Sequence, residues 1–90
     1  MTYIPFISQD DLILDNQQKR LVGGKIEVLD PISNNPVDIF VYDGSNDNYV
    51  VSTNPIYLDV NSRPEHTYFS TQLVLCRLYK YIGNFSDPMI

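Results

Sequence analysis

Residues 37–52 read VDIFVYDGSNDNYVVS and decide the fold class. The first six residues alternate with the period of two that marks a β-strand, which places Val37, Ile39 and Val41 on one face. The polar run DGSNDN that follows is typical of a hairpin turn, and YVVS is a second, brief strand. The stretch therefore predicts a β-hairpin.

Strand signals continue on both sides of this hairpin. Lys25–Leu29 alternates polar and apolar residues, and Ile56–Leu58 and His66–Phe69 are short extended segments. The longest signal, Gln72–Ile82, has two largely apolar faces, which indicates a central strand or one buried against a second chain. These segments recur about every ten residues, as expected of a small sandwich or barrel.

The composition agrees with this interpretation. The chain has 90 residues, 43% of them hydrophobic, and lacks alanine and tryptophan, so a helical bundle is excluded. We predict an all-β fold, a small antiparallel sandwich or barrel-like module of five to six short strands with an extended N-terminal arm. The arm is residues 1–20, and residues 21–90 form the β-rich domain.

Several classes of protein are excluded. Six Lys and Arg against 11 Asp and Glu give a net charge of −5, which argues against nucleic-acid binding. Apolar runs of four or five residues are too short to span a membrane, and we expect no secretory signal. Cys76 is the only cysteine, so an internal disulfide is impossible.

No active site is evident, and we expect neither enzymatic activity nor a cofactor or bound metal. His66, the only histidine, is interpreted as a structural or surface residue. The oxygen-rich run from Asp43 to Asn48 resembles a calcium loop only loosely, because the EF-hand order is absent. The tyrosines leave an alternative open, a carbohydrate-binding β-module that uses Tyr42 and Tyr57, although sheet packing is the favoured role.

Gly23-Gly24-Lys25 is followed along the chain by Asn54-Pro55-Ile56-Tyr57-Leu58-Asp59 and then by Arg63. This order of turn signals resembles the N-terminal module of bacteriophage tail fibres and tailspikes, over residues 22 to 82. That pattern has a Gly-Gly-Lys strand, then Asn-Pro-(apolar)-(any)-Leu-Asp, then a small-residue turn before an arginine. One departure is Ser62, which stands where the family commonly has glycine and so predicts a turn without a positive φ. The matching residues here are Gly23, Gly24, Lys25, Asn54, Pro55, Leu58, Asp59 and Arg63.

The resemblance implies a structural protein of the virion that anchors a fibre or spike at the tail hub, portal or adaptor. It also implies a homotrimer, made in the host cytoplasm, whose chain either continues past Ile90 into a longer fibre or is a short adaptor that shares the module. We expect Asn54 to bind backbone groups and Arg63 to bind a carboxylate or carbonyls. The N-terminal arm is expected to order on docking, with contacts from Tyr3, Ile4, Phe6, Leu12 and Leu14.

Overall fold

The hairpin expected from residues 37–52 is present in the computed structural model, which describes residues 2–81 and 83–85. Strand β3 pairs antiparallel with β4, with Tyr42 opposite Tyr49 and Asp43 opposite Asn48. Seven strands and no helix are found in the described residues. They are β1 (Ile4–Ile7), β2 (Lys25–Leu29), β3 (Ile39–Asp43), β4 (Asn48–Ser52), β5 (Ile56–Tyr57), β6 (Tyr68–Ser70) and β7 (Leu75–Tyr79).

The strands form two antiparallel sheets, so the all-β prediction is confirmed in its sandwich form, although the described residues form seven strands rather than the five to six expected, because β1 of the N-terminal segment joins the sheet. One sheet has the order β1-β6-β3-β4 and the other the order β5-β2-β7. A single apolar core joins them, because Ile39 and Tyr68 of the first sheet and Ile26, Val28 and Ile56 of the second belong to one buried cluster. Without a helix, the described part of the chain contains no helical segment that could cross a membrane.

The interpretation of residues 72–82 as a central strand was wrong. The central strand of its sheet is β2, which pairs with β5 on one side and β7 on the other, while β7 lies at the edge. The strand is also shorter than expected, because only Leu75–Tyr79 pairs, and Ile82 lies outside the described residues. Both its faces look apolar because Tyr79 and Leu75 cover the outer side of the sheet.

The expectation that residues 1–20 form an arm with little core of its own also needs correction. Strand β1 pairs with β6, with Ile4 opposite Ser70, and Ile7 belongs to the buried core. Farther along this segment, Leu14 makes an isolated bridge with Arg20. The segment is therefore part of the folded domain, because its apolar side chains complete the core of the first sheet.

Candidate functional site

The outer side of the four-stranded sheet carries a cluster of aromatic rings, named here the aromatic face. The alternation of β3 directs Ile39 and Val41 toward the core, and so directs Phe40 and Tyr42 outward. Tyr49 is the centre of the cluster, with its ring centroid 4.1 to 5.2 Å from those of three other members. The members are Tyr3, Phe40, Tyr42, Tyr49 and Phe69.

Part of this face is open to solvent. Tyr42 is 48% exposed, and Val51, which is paired opposite Phe40, is 64% exposed. An antiparallel sheet in a small protein normally has one apolar and one polar face. Here both faces of the sheet are apolar, a pattern that marks interaction surfaces.

Carboxylates border the aromatic face at the β3–β4 turn. The Tyr42 hydroxyl donates a hydrogen bond to Asp47, which raises the pKa of Tyr42. Asp43 accepts hydrogen bonds from the Asn46 side chain (2.7 Å) and the Ser45 amide (3.0 Å), and these lower its pKa. The Asp43–Asn48 run considered for calcium thus forms a turn held by its own hydrogen bonds. The described residues contain no group of three or more His, Cys, Asp or Glu that could hold a metal.

A cleft of about 290 Å³ opens beside the aromatic face. Strands β3 and β6 pair only at Phe40 and Phe69, so the chain segments diverge beyond that point and leave this space. Both aromatic and polar side chains line the cleft. Its lining residues are Gln9, Val41, Tyr42, His66, Thr67 and Phe69.

His66 and Cys76, the single histidine and the single cysteine of the sequence, are associated with different sheets of the fold. His66 is exposed ahead of β6, where its Nε2 lies 3.8 Å from Glu65 Oε1. Cys76 lies on β7, half-buried against the core, and burial raises its pKa. A protonated thiol is a poor nucleophile, so this arrangement offers no support for covalent catalysis.

Asn54 binds backbone groups, as the sequence predicted. Its side-chain Oδ1 accepts a hydrogen bond from the Val28 amide at 3.1 Å, and its Nδ2 donates to the carbonyls of Val28 (2.8 Å) and Val37 (2.9 Å). The amide extends the hydrogen bonding of β2 beyond the two residues that pair with β5. The peptide bond between Asn54 and Pro55 is cis.

The Gly-Gly-Lys motif forms the turn that starts β2. Gly23 has a positive φ of 70°, and a Cβ on Gly24 would lie 2.5 Å from the Tyr79 carbonyl oxygen. Lys25 Nζ lies 4.8 Å from the ring centroid of Tyr79 and 4.5 Å from that of Phe85, so its charge rests on two aromatic rings. The motif therefore serves packing in this chain.

Residues 59–63 form a second supporting turn. The Asp59 carboxylate accepts hydrogen bonds from the amides of Asn61 (2.8 Å) and Arg63 (3.0 Å), while the preceding Leu58 is buried. Arg63 donates to a carbonyl, as expected, but that carbonyl belongs to Asp10 in the N-terminal segment, at 2.5 Å. The turn thus ties the N-terminal segment to the rest of the domain.

The prediction for Ser62 was wrong, because its φ is +62°. The residue is fully buried, and its hydroxyl accepts a hydrogen bond from the Leu21 amide at 2.7 Å and donates one to the Ile13 carbonyl. Glycine would suit the backbone but would lack this hydroxyl. The two buried bonds provide a physical reason for a serine in the left-handed conformation.

The five N-terminal residues proposed for partner contacts have different environments. Tyr3 stacks in the aromatic face, and Phe6 packs against the core. Ile4 and Leu12 are exposed, while Leu14 is half-buried. Sequence reasoning missed Phe40, Tyr49, Val51 and Phe69 as candidates. The alternation within residues 37–52 could have suggested Phe40, whereas the others required the strand register.

The basic residues that lie in strands are confined to the three-stranded sheet, which also carries Glu27 opposite Arg77. No strand of the four-stranded sheet contains Lys or Arg, and residues 26–62 hold six carboxylates and no basic residue. Lys25 and Arg77 lie on the three-stranded sheet, and Lys80, just after β7, places its Nζ 3.6 Å from Asp15. The aromatic face is consequently both apolar and acidic.

The chain matches no protein-family model, and a search of curated proteins finds no match.

Proposed function

We propose that this chain is an attachment module of a bacteriophage tail fibre or tailspike. In this role it is a structural protein of the virion that anchors the fibre at the tail hub, portal or adaptor. The observation that carries the proposal is the order of the motifs along the chain. Gly23-Gly24-Lys25 comes first, Asn54-Pro55-Ile56-Tyr57-Leu58-Asp59 follows, and Arg63 closes the turn.

The roles of these residues support the proposal. Gly24 allows a close backbone approach, Asn54 makes three hydrogen bonds to backbone groups, and Asp59 holds the turn before Arg63. All three serve the architecture, as expected of a module whose function is to hold a surface in place. The aromatic face and the exposed Ile4 and Leu12 are surfaces available to sister chains or to a receiving protein.

The carbohydrate-binding alternative has less support. Tyr42 lies on β3 of the four-stranded sheet, whereas Tyr57 lies on β5 of the other sheet, with its ring centroid 6.1 Å from that of Phe85. The two tyrosines therefore do not share one platform. A glycan array that shows binding dependent on Tyr42 would favour this alternative.

Virion incorporation tests the proposal directly. In a phage that encodes this chain, deletion of residues 22–81 should yield particles that lack the protein, detected by immunoblotting of purified virions. The matched control is Val60→Ser, a change at an exposed residue outside both sheets, which should leave incorporation unchanged. Particles that carry a normal amount of the deleted protein would contradict an anchoring role.

A homotrimer is part of the same proposal and needs its own measurement. Sedimentation equilibrium of the purified protein should give three times the chain mass. A single-chain mass at every concentration would contradict this part alone.

A further inference from the structure

The aromatic face lacks the features that usually protect an exposed sheet. Its edge strand β4 reads NYVVS, without the lysine or proline that commonly blocks pairing at sheet edges. Val51 is 64% exposed on this strand, next to rings that already pack against one another. These features indicate a surface that a partner covers.

Charge defines the kind of partner. The strands beneath the face carry no Lys or Arg, while Asp47 lies at the Tyr42 hydroxyl and Glu65 lies beside His66 at the cleft. The Arg63 guanidinium donates to the Asp10 carbonyl, and Arg63 is not among the residues that line the cleft. An acidic apolar surface is complementary to a basic partner with apolar side chains.

The cleft favours arginine over lysine within such a partner. A guanidinium is planar, so it stacks on aromatic rings and binds carboxylates through two parallel hydrogen bonds. Tyr42 and Phe69 line the cleft, and Asp47 is adjacent to Tyr42. We propose that the aromatic face binds an arginine-bearing basic segment of a partner protein, with one guanidinium in the cleft between Tyr42 and Phe69. This inference rests on the proposed function, for which it names the chemistry of the receiving protein.

A second copy of the chain fits this face less well. Each copy carries a net charge of −5, so two copies repel each other. A basic segment of another protein is attracted by this negative charge instead.

A peptide titration of the 90-residue chain tests the proposal. The probe is acetyl-Arg-Leu-Arg-amide, and its Lys-Leu-Lys and Gln-Leu-Gln analogues are the comparisons. In ¹H–¹⁵N spectra the arginine probe should shift the amides of Tyr42, Tyr49 and Phe69. It should bind about threefold more tightly than the lysine probe, and 0.5 M NaCl should weaken it. Equal binding of the neutral probe would overturn the proposal.

Two variants with matched controls locate the site. Val51→Arg places a cation on the face and should weaken the arginine probe about threefold or more, whereas Val60→Arg, at another exposed valine, should not. Asp47→Asn keeps an oxygen that can accept the hydrogen bond from Tyr42, and it should weaken binding of the arginine probe about threefold. Its control, Asp59→Asn, should not weaken this binding. Equal losses within each pair would show a general effect of net charge and overturn the assignment.

The remaining outcomes separate this inference from the proposed function. Two results would overturn the inference while leaving virion attachment unaffected. One is self-association of the free chain that protects Val51. The other is binding of maltotriose at Tyr42 with no response to the arginine probe. Arginine binding at the face, together with normal incorporation after deletion of residues 22–81, would instead contradict virion attachment alone.

Discussion

At the scale of single residues, Ser62 combines two properties that are seldom found together. Its backbone is left-handed, which disfavours any side chain, and its buried hydroxyl bonds both Leu21 and Ile13. The hydroxyl connects the start of the β-rich domain to the N-terminal segment. The serine therefore offsets its unfavourable backbone through hydrogen bonds.

Two substitutions at Ser62 separate these properties. Ser62→Ala removes the hydroxyl but keeps a Cβ at positive φ, so we expect it to lower the free energy of unfolding by about 2–4 kcal/mol. Ser62→Gly also loses the hydroxyl but relaxes the backbone, and should be about 1 kcal/mol more stable than the alanine variant. Urea unfolding measures both. An alanine variant as stable as the native chain would show that the hydrogen bonds contribute little.

Gly24 and Gly44 form a matched pair. A Cβ at Gly24 would lie 2.5 Å from the Tyr79 carbonyl and 2.8 Å from a Leu21 carbon, whereas at Gly44 the nearest atom would be 3.8 Å away. Gly24→Ala should therefore lower the free energy of unfolding by about 1–3 kcal/mol, and Gly44→Ala should change it by less than about 0.5 kcal/mol. Thermal unfolding followed by circular dichroism compares them. Similar values for the two would contradict the close approach at Gly24.

At the scale of elements, the parts of the fold that the sequence predicted well are local. Residues 37–52 contain a strand, a turn and a second strand in direct succession, so their alternation alone predicted the hairpin. The motif residues were also informative, because Asn54 has the donors and acceptor needed to bind backbone groups. Each of these inferences depended on residues close in the chain or on the chemistry of one side chain.

Elements that depend on distant pairing were missed. Strand β1 exists because Ile4 pairs with Ser70, 66 residues away, and the short apolar run around Pro5 gives no sign of that partner. Likewise, the alternation of residues along β7 defines its two faces, but it does not show that β7 is an edge strand with only β2 beside it. The aromatic face has the same origin, since Tyr49 and Phe69 meet only after β4 and β6 join the sheet.

The loop from Asp15 to Arg20 is an element with a defined response to acid. The buried Asp15 carboxylate accepts hydrogen bonds from the amides of Lys19 (2.9 Å) and Gln17 (2.8 Å) and lies near Lys80. The hydrogen bond from the Lys19 amide is the largest cause lowering the pKa of Asp15 below its usual 3.8, and together with the smaller contributions of Gln17 and Lys80 it outweighs burial, which raises the pKa. Because the folded pKa is depressed, the stabilisation is complete well above pH 3.8 and disappears as the pH falls through the folded value.

This acid response can be measured residue by residue. The amide chemical shifts of Gln17 and Lys19 should titrate together below pH 3.8, while the Leu58 amide, which donates to the Gly24 carbonyl, serves as an internal control. In Asp15→Asn the titration of both amides should disappear. Its persistence would mean that another carboxylate controls the loop.

At the scale of the whole molecule, the N-terminal segment is required for the fold. Deletion of residues 2–20 removes β1, the core residue Ile7 and the partners of Ser62 and Arg63. Loss of a buried isoleucine alone costs about 2–5 kcal/mol. Each kcal/mol corresponds to about 4–8 °C in a domain of this size, so we expect the melting temperature to fall by more than about 10 °C. An unchanged melting temperature would instead support the prediction that residues 1–20 form a separate arm.

This requirement changes how the arm contacts should be tested. Because the deletion is expected to unfold the domain, a loss of virion incorporation would not identify a docking contact. The double variant Ile4→Ser, Leu12→Ser changes only exposed side chains and should keep the melting temperature within a few degrees. Reduced incorporation of this variant would support the partner contacts, and normal incorporation would contradict them for these two residues.

The distribution of charge over the two sheets also acts before any contact is made. Asp43 and Asp47 at the β3–β4 turn, set against Lys25 and Arg77 on the other sheet, give the molecule an electric dipole moment in addition to its net charge of −5. Near a positively charged assembly, such a dipole turns the molecule so that its acidic end leads. The aromatic face would then approach in the orientation needed for docking, and higher ionic strength would slow association by weakening this alignment.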